Sequence, residues 1–157
     1  MQPSRPIEPQ LLHPGTGRLA AVLRVESFWD TSPVELAAGK YILFVASRRA
    51  AALSSVEVAR AWLDNGASYI CAWGPTSPEV EETFDYASFL PELGEPLSFT
   101  LMTTSHEGES LEEALWFAFY NAIAPNDLKY QLSTVIIVVD SPALESACVA
   151  WVSENAE

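Results

Sequence analysis

Basic residues are scarce in this chain, and after residue 60 they almost vanish. Only eight of 157 residues are Lys or Arg, against 21 Asp and Glu, so the formal charge is −13. Seven of the eight (Arg5, Arg18, Arg24, Lys40, Arg48, Arg49 and Arg60) lie in the first sixty positions, and beyond them Lys129 faces sixteen acids alone. Such a surface repels nucleic acid and anionic membrane, and favours a basic protein partner or simply solubility. Cysteine is nearly absent as well. Cys71 and Cys148 stand in apolar runs and are too few for a disulfide framework or a zinc set, so both read as buried thiols. No run approaches the ~18 apolar residues of a membrane span, and the stretch from Met1 to Pro6 has no apolar signal core. The expected setting is a bacterial-type cytosol.

What the chain does contain is a hydrophobic fraction of 49%, enough for a core without staples at this length. Residues 1 to 17 hold four prolines and Gly15-Thr16-Gly17, a composition that suits a flexible amino-terminal arm. Residues 18 to 157 then form one expected domain. Leu19 to Phe28 is apolar but compatible with either an extra strand or a short helix.

From Tyr41 the pattern becomes regular. Tyr41 to Ala46 is apolar on both faces, as a central parallel strand requires. Ser54-Ser55-Val56-Glu57 is a capping box opening a helix with Val56, Ala59, Trp62 and Leu63 on one face, stopped by Asn65-Gly66. Tyr69 to Trp73 is a second strand, and Ser77-Pro78-Glu79 starts a second helix running to about Phe89. Phe99 to Thr104 is a third strand whose hydroxyl alternation suits a less buried place in the sheet. Ser110-Leu111-Glu112-Glu113 caps a third helix, Thr134 to Val139 is a strongly β-branched fourth strand, and Ser141-Pro142 opens the last helix. Four strand-then-helix units in succession specify an α/β fold: a doubly wound, mostly parallel sheet of four to five strands with helices on both faces. That is a three-layer arrangement of Rossmann-like or flavodoxin-like type.

Ligands of such sheets bind beyond the carboxyl ends of the strands. No glycine occurs between Ser47 and Ser55, which excludes both a dinucleotide fingerprint and a P-loop after the first strand. The second and third helices begin among acids (Glu79, Glu81 and Glu82; Glu107, Glu109, Glu112 and Glu113) that repel a phosphate. Arg48 and Arg49 form the exception and could clamp an anion. His106 follows the third strand, where a general base reaches a pocket, but no nucleophile motif accompanies it. It is the catalytic candidate if there is one. The candidate ligand set at this edge is Arg48, Trp73, Thr104, His106 and Asp140; no metal set and no cofactor motif is expected.

Two segments carry a resemblance: Tyr69-Ile70-Cys71-Ala72-Trp73-Gly74-Pro75, and the run from Met102 to Phe117 with its Thr103-Thr104-Ser105-His106-Glu107. Together they resemble a family of small bacterial α/β domains of unknown function, over roughly residues 40 to 153. The resemblance implies a fold and two edge segments, and no reaction. The functional expectation is therefore an interaction or adaptor module whose acidic helices meet a basic partner, with a small-molecule site or enzyme at the carboxyl edge as the alternative. The third helix adds a further expectation. Leu111, Leu115, Trp116, Phe117, Phe119, Tyr120 and Ile123 cover more of its circumference than one buried face needs, so either the segment from Leu19 to Trp29 or a second copy should cover the excess. Monomer and homodimer both stay open.

Overall fold

A computed structural model of the chain describes residues 10–12, 18–31, 33, 39–49, 54–122 and 133–155. Among these residues six strands, β1 (Gln10–Leu12), β2 (Leu19–Arg24), β3 (Tyr41–Ala46), β4 (Ala67–Trp73), β5 (Met102–His106) and β6 (Thr134–Val139), form one sheet in the order β1-β2-β6-β3-β4-β5. All neighbours from β2 to β5 run parallel, and β1 pairs antiparallel with β2 at the edge. The α-helices among the described residues are α1 (Val56–Asn65), α2 (Ser77–Phe89), α3 (Leu111–Trp116) and α4 (Pro142–Glu154).

The centre of the sheet follows from side-chain chemistry. Every residue of β3 is buried, and β6 is buried from Val135 onward, so their β-branched and aromatic side chains fill both faces. One face carries Leu43, Val45 and Ile136 against Trp62 and Leu63 of α1 and Phe84 of α2. The other carries Phe44, Ala46 and Ile137 against Leu115 of α3 and Leu144 and Cys148 of α4. Two helices per face make the expected three layers.

Several boundaries differ from expectation. The ambiguous segment resolves as strand β2, because β6 offers it a parallel edge with Leu19 opposite Thr134. Gln10–Leu12, inside the expected arm, adds an antiparallel edge strand, which takes the sheet to six strands among the described residues; the rest of residues 1–17 lies outside them. The third strand begins at Met102 instead of Phe99, whose ring sits 4.0 Å below the Lys40 ammonium. β5 is the other edge of the sheet, in keeping with its hydroxyl-rich sequence. Ser55, not Ser54, is the N-cap of α1, its Oγ accepting from Val58 N at 3.2 Å. Ser77 is the first residue of α2 and its buried Oγ has no hydrogen-bond partner, so Thr76 precedes the helix in its place.

Two basic side chains fasten neighbouring elements to one another. Arg60 of α1 is buried, pairs with Asp64 at 2.9 Å, and donates to the carbonyls of Ala87 and Glu95, which fastens the end of α2 and the loop after it. Arg18 donates to Ala118 O and Ala122 O, both at 2.7 Å, and so satisfies carbonyls of the wide π turn (Phe117–Asn121) that continues α3.

Both thiols are buried, and burial pushes the Cys71 and Cys148 thiols up to about 12. They should be unreactive toward Ellman's reagent at pH 8 in the folded protein and should both titrate in denaturant. Rapid reaction of either in the native state would contradict this packing.

Candidate functional site

β3 is followed by α1 on one face and β6, its neighbour, by α4 on the other, so the chain leaves the two adjacent strands in opposite directions. This is the switch point of a doubly wound sheet, and a crevice opens there. Ser47 and Asp140 meet across it: Ser47 Oγ donates to Asp140 Oδ2 at 2.6 Å, and Arg49 Nε lies 3.6 Å from the same oxygen. The Ser47 backbone is itself held, donating its N–H to Trp73 O at 3.2 Å. The Asp140 side chain is only 8% exposed, whereas Arg49 is half-exposed. Buried carboxylates need such partners, since an unpaired one would be strongly penalised.

In front of this pair lies an open cleft of about 620 Å³, lined by Arg24, Glu26, Asp30, Thr31, Arg49 and Asp140 among others. Arg24 ends β2 and stands 3.5 Å from Glu145 of α4. A tight turn at Phe28–Asp30 follows β2; its Phe28 and Trp29 pack into the core while Asp30 faces the cleft.

Four of the five sequence-derived ligand candidates gather elsewhere on the same edge. His106 ends β5 and is 5% exposed, with Nε2 3.0 Å from Thr104 Oγ1 and Nδ1 2.8 Å from Glu109 Oε2. Its ring lies against Phe117, with centroids 4.8 Å apart. Thr104 Oγ1 donates to Ile70 O, and Trp73 Nε1 donates to Glu109 O at 2.9 Å. Arg48 stands over the Trp73 ring at 5.6 Å. Both nitrogens of His106 are thus engaged, and the ring ties β5 to the start of α3. Asp140 is not part of that cluster: it lines the switch-point cleft with Arg49. Glu109, which joins Trp73 to His106, was visible only as one acid of a helix start. Arg24, Glu26 and Asp30 were missed because the strand preceding them was ambiguous; charges placed directly after Leu19-Ala20-Ala21-Val22-Leu23 were the available signal.

Another concavity, of about 480 Å³, lies on the α3 and α4 side, lined by Glu109, Glu112, Glu113, Trp116, Phe117 and Trp151 among others. Ser110 Oγ caps α3 by accepting from Glu113 N at 3.1 Å. Trp116 and Tyr120 are 47% and 45% exposed and stack on each other at 5.3 Å. The expected intramolecular cover for this face is not the segment from Leu19 to Trp29. Leu19–Arg24 is a sheet strand, and Phe28 packs on the opposite face, stacked on Trp62 at 5.6 Å. Leu111, Leu115 and Phe119 are buried against the sheet, and Ile123 lies outside the described residues.

These features define a doubly wound α/β domain with charged loops at the carboxyl edge and an acidic, aromatic groove beside it. The chain belongs to the family described as Domain of unknown function (DUF7684), whose model matches residues 20–155. That span takes in β2 as well as the segments that carried the resemblance. No curated protein matches the chain, and no solved structure does. Among the described residues no helix is long and apolar enough to cross a membrane.

Proposed function

We propose that the domain is a protein-interaction module of the bacterial cytosol that holds an arginine- or lysine-bearing segment of a basic partner in the groove between α3 and α4. The observation that carries this reading is the exposed Trp116 and Tyr120 stack beside a carboxylate rim of Glu109, Glu112 and Glu113. A guanidinium is attracted by both parts of such a surface: its face lies on an aromatic ring and its N–H groups point at carboxylates. The long-range field acts in the same direction, since one basic residue stands against sixteen acids after residue 60. The same field argues against nucleic acid as the partner.

The test is a titration of tryptophan fluorescence with a short peptide alternating arginine and leucine, and with its glutamate counterpart. The arginine peptide should bind and the glutamate peptide should not, and affinity should fall steeply as salt is raised. Trp116→Ala should weaken binding about tenfold or more, as expected for an aromatic anchor. Unchanged affinity in Trp116→Ala would overturn the reading. So would sedimentation showing a dimer that encloses Trp116, because the face would then be occupied by a second copy.

A further inference from the structure

We infer that the switch-point cleft is a second, separate site, which binds a small zwitterion: a free amino acid carrying a carboxylate at one end and a cationic side chain at the other. The inference does not rest on the groove between α3 and α4, and concerns a different edge of the sheet.

Charge is unevenly distributed in the cleft. On the β6 side stand Arg49 and Pro142, the latter opening the thirteen-residue helix α4. A helix of that length carries partial positive charge at its start; Pro142 brings no N–H and Ser141 Oγ takes that of Leu144, so the start of α4 acts through its dipole. Asp140 also faces this end, but its Oδ2 is already satisfied by Ser47 Oγ and approached by Arg49 Nε. Arg49 meets no carboxylate but Asp140 among the described residues, and its half-exposed side chain lines the cleft. This end suits a carboxylate.

The β2 side has the opposite sign. Glu26 and Asp30 line it, both exposed, and among the described residues neither has an ion-pair partner. Arg24, which ends β2 and also lines the cleft, stands 3.5 Å from Glu145. A simple anion would gain Arg49 and the start of α4 but would confront Glu26 and Asp30. A simple cation would gain Glu26 and Asp30 but would confront Arg49 and Arg24. A molecule with both charges, separated by a side chain, matches both ends, and about 620 Å³ is within the range of pockets that hold small metabolites.

Calorimetry with L-lysine as the probe tests this, with cadaverine (both ammonium groups, no carboxylate), glutarate (carboxylates only) and inorganic phosphate as comparisons. L-lysine should bind at least tenfold more tightly than any of the three. Arg49→Gln should lower its affinity tenfold or more, and Glu26→Gln together with Asp30→Asn should do the same; because Glu26 and Asp30 are exposed, that double variant keeps its fold and its circular dichroism. Trp116→Ala should leave lysine binding unchanged, which separates failure of this site from failure of the groove. Cadaverine or glutarate binding as tightly as lysine would overturn the inference, as would phosphate binding that outcompetes it, lysine binding indifferent to both sets of substitutions, or no lysine binding at all.

Discussion

Replacing Trp62 by alanine should cost about 3–5 kcal/mol, the range for removing a large buried aromatic, and should lower the midpoint of chemical denaturation without changing the transition's cooperativity. Trp62 is fully buried, and its ring joins α1 to the sheet and to Phe28 of the turn after β2. A loss of that size is a large part of the stability of an ordinary domain. The informative companion is Trp62→Phe. Because Trp62 Nε1 is buried without a hydrogen-bond partner, phenylalanine surrenders volume but no polar contact, and should cost only about 1–2 kcal/mol. Equal losses in the two variants would mean that the indole N–H has a partner after all.

Gly74→Ala should be nearly as damaging, about 3–5 kcal/mol, for two reasons that add. Gly74 has φ of +116°, which an alanine adopts only under strain, and a Cβ there would stand 1.7 Å from the carbonyl oxygen of Ser47. Backbone cannot swing aside as a flexible side chain can, so β3 and the turn after β4 must separate. Gly108→Ala is the matched comparison: its φ is +79° and nothing lies within 4 Å of the added carbon, so it should cost only about 1–2 kcal/mol. The clash at Gly74 also falls on the residue that hydrogen-bonds Asp140. Folded Gly74→Ala protein should therefore show weakened lysine binding in calorimetry while Gly108→Ala binds normally. Similar stability for the two alanine variants would refute the close approach.

Much of this architecture is legible before any coordinates. Tyr41 to Ala46 and Thr134 to Val139 could hardly be anything but central strands, because only a position covered on both faces accommodates so continuous an apolar run. The capping serines at Ser55, Ser110 and Ser141 mark three helix starts to within a residue, since each hydroxyl satisfies a backbone N–H that the first turn leaves over. The third strand was misplaced by a few residues because Phe99 and Leu101 are apolar without being paired; hydrophobicity signals burial, not hydrogen bonding. Nothing in Gln10-Leu11-Leu12 announces an edge strand, for backbone pairing over three residues leaves no side-chain period. The π turn after Trp116 is equally silent, its sequence being an ordinary helical continuation.

The sites were harder to read than the fold for a definite reason. Which strand ends converge depends on strand order, and order is not written in any local segment. Asp140 and the pair Arg48 and Arg49 could each be picked out as chemically able, but only the placement of β6 between β2 and β3 seats Asp140 beside Ser47 and Arg49. The same placement leaves Trp73, Thr104 and His106 on the far side of β3. The candidate set taken from the sequence was thus a mixture of two clusters.

That placement of β6 has a consequence for how the chain acquires its structure. Among the described strands β2 pairs with β1 and β6, and β3 meets β2 through β6, so this sheet is two fragments until β6, the last of these strands in the chain, slots between them. On the ribosome β3, β4, α1 and α2 can associate early, but one long side of β3 stays open, presenting unpaired amides and an apolar face to the solvent. Insertion of a strand into the middle of a sheet joins residues far apart in sequence, which favours slow, late closure. The growing chain is therefore most vulnerable to capture by other nascent chains in the interval before residues 134–139 emerge, and its demand on chaperones should be concentrated there.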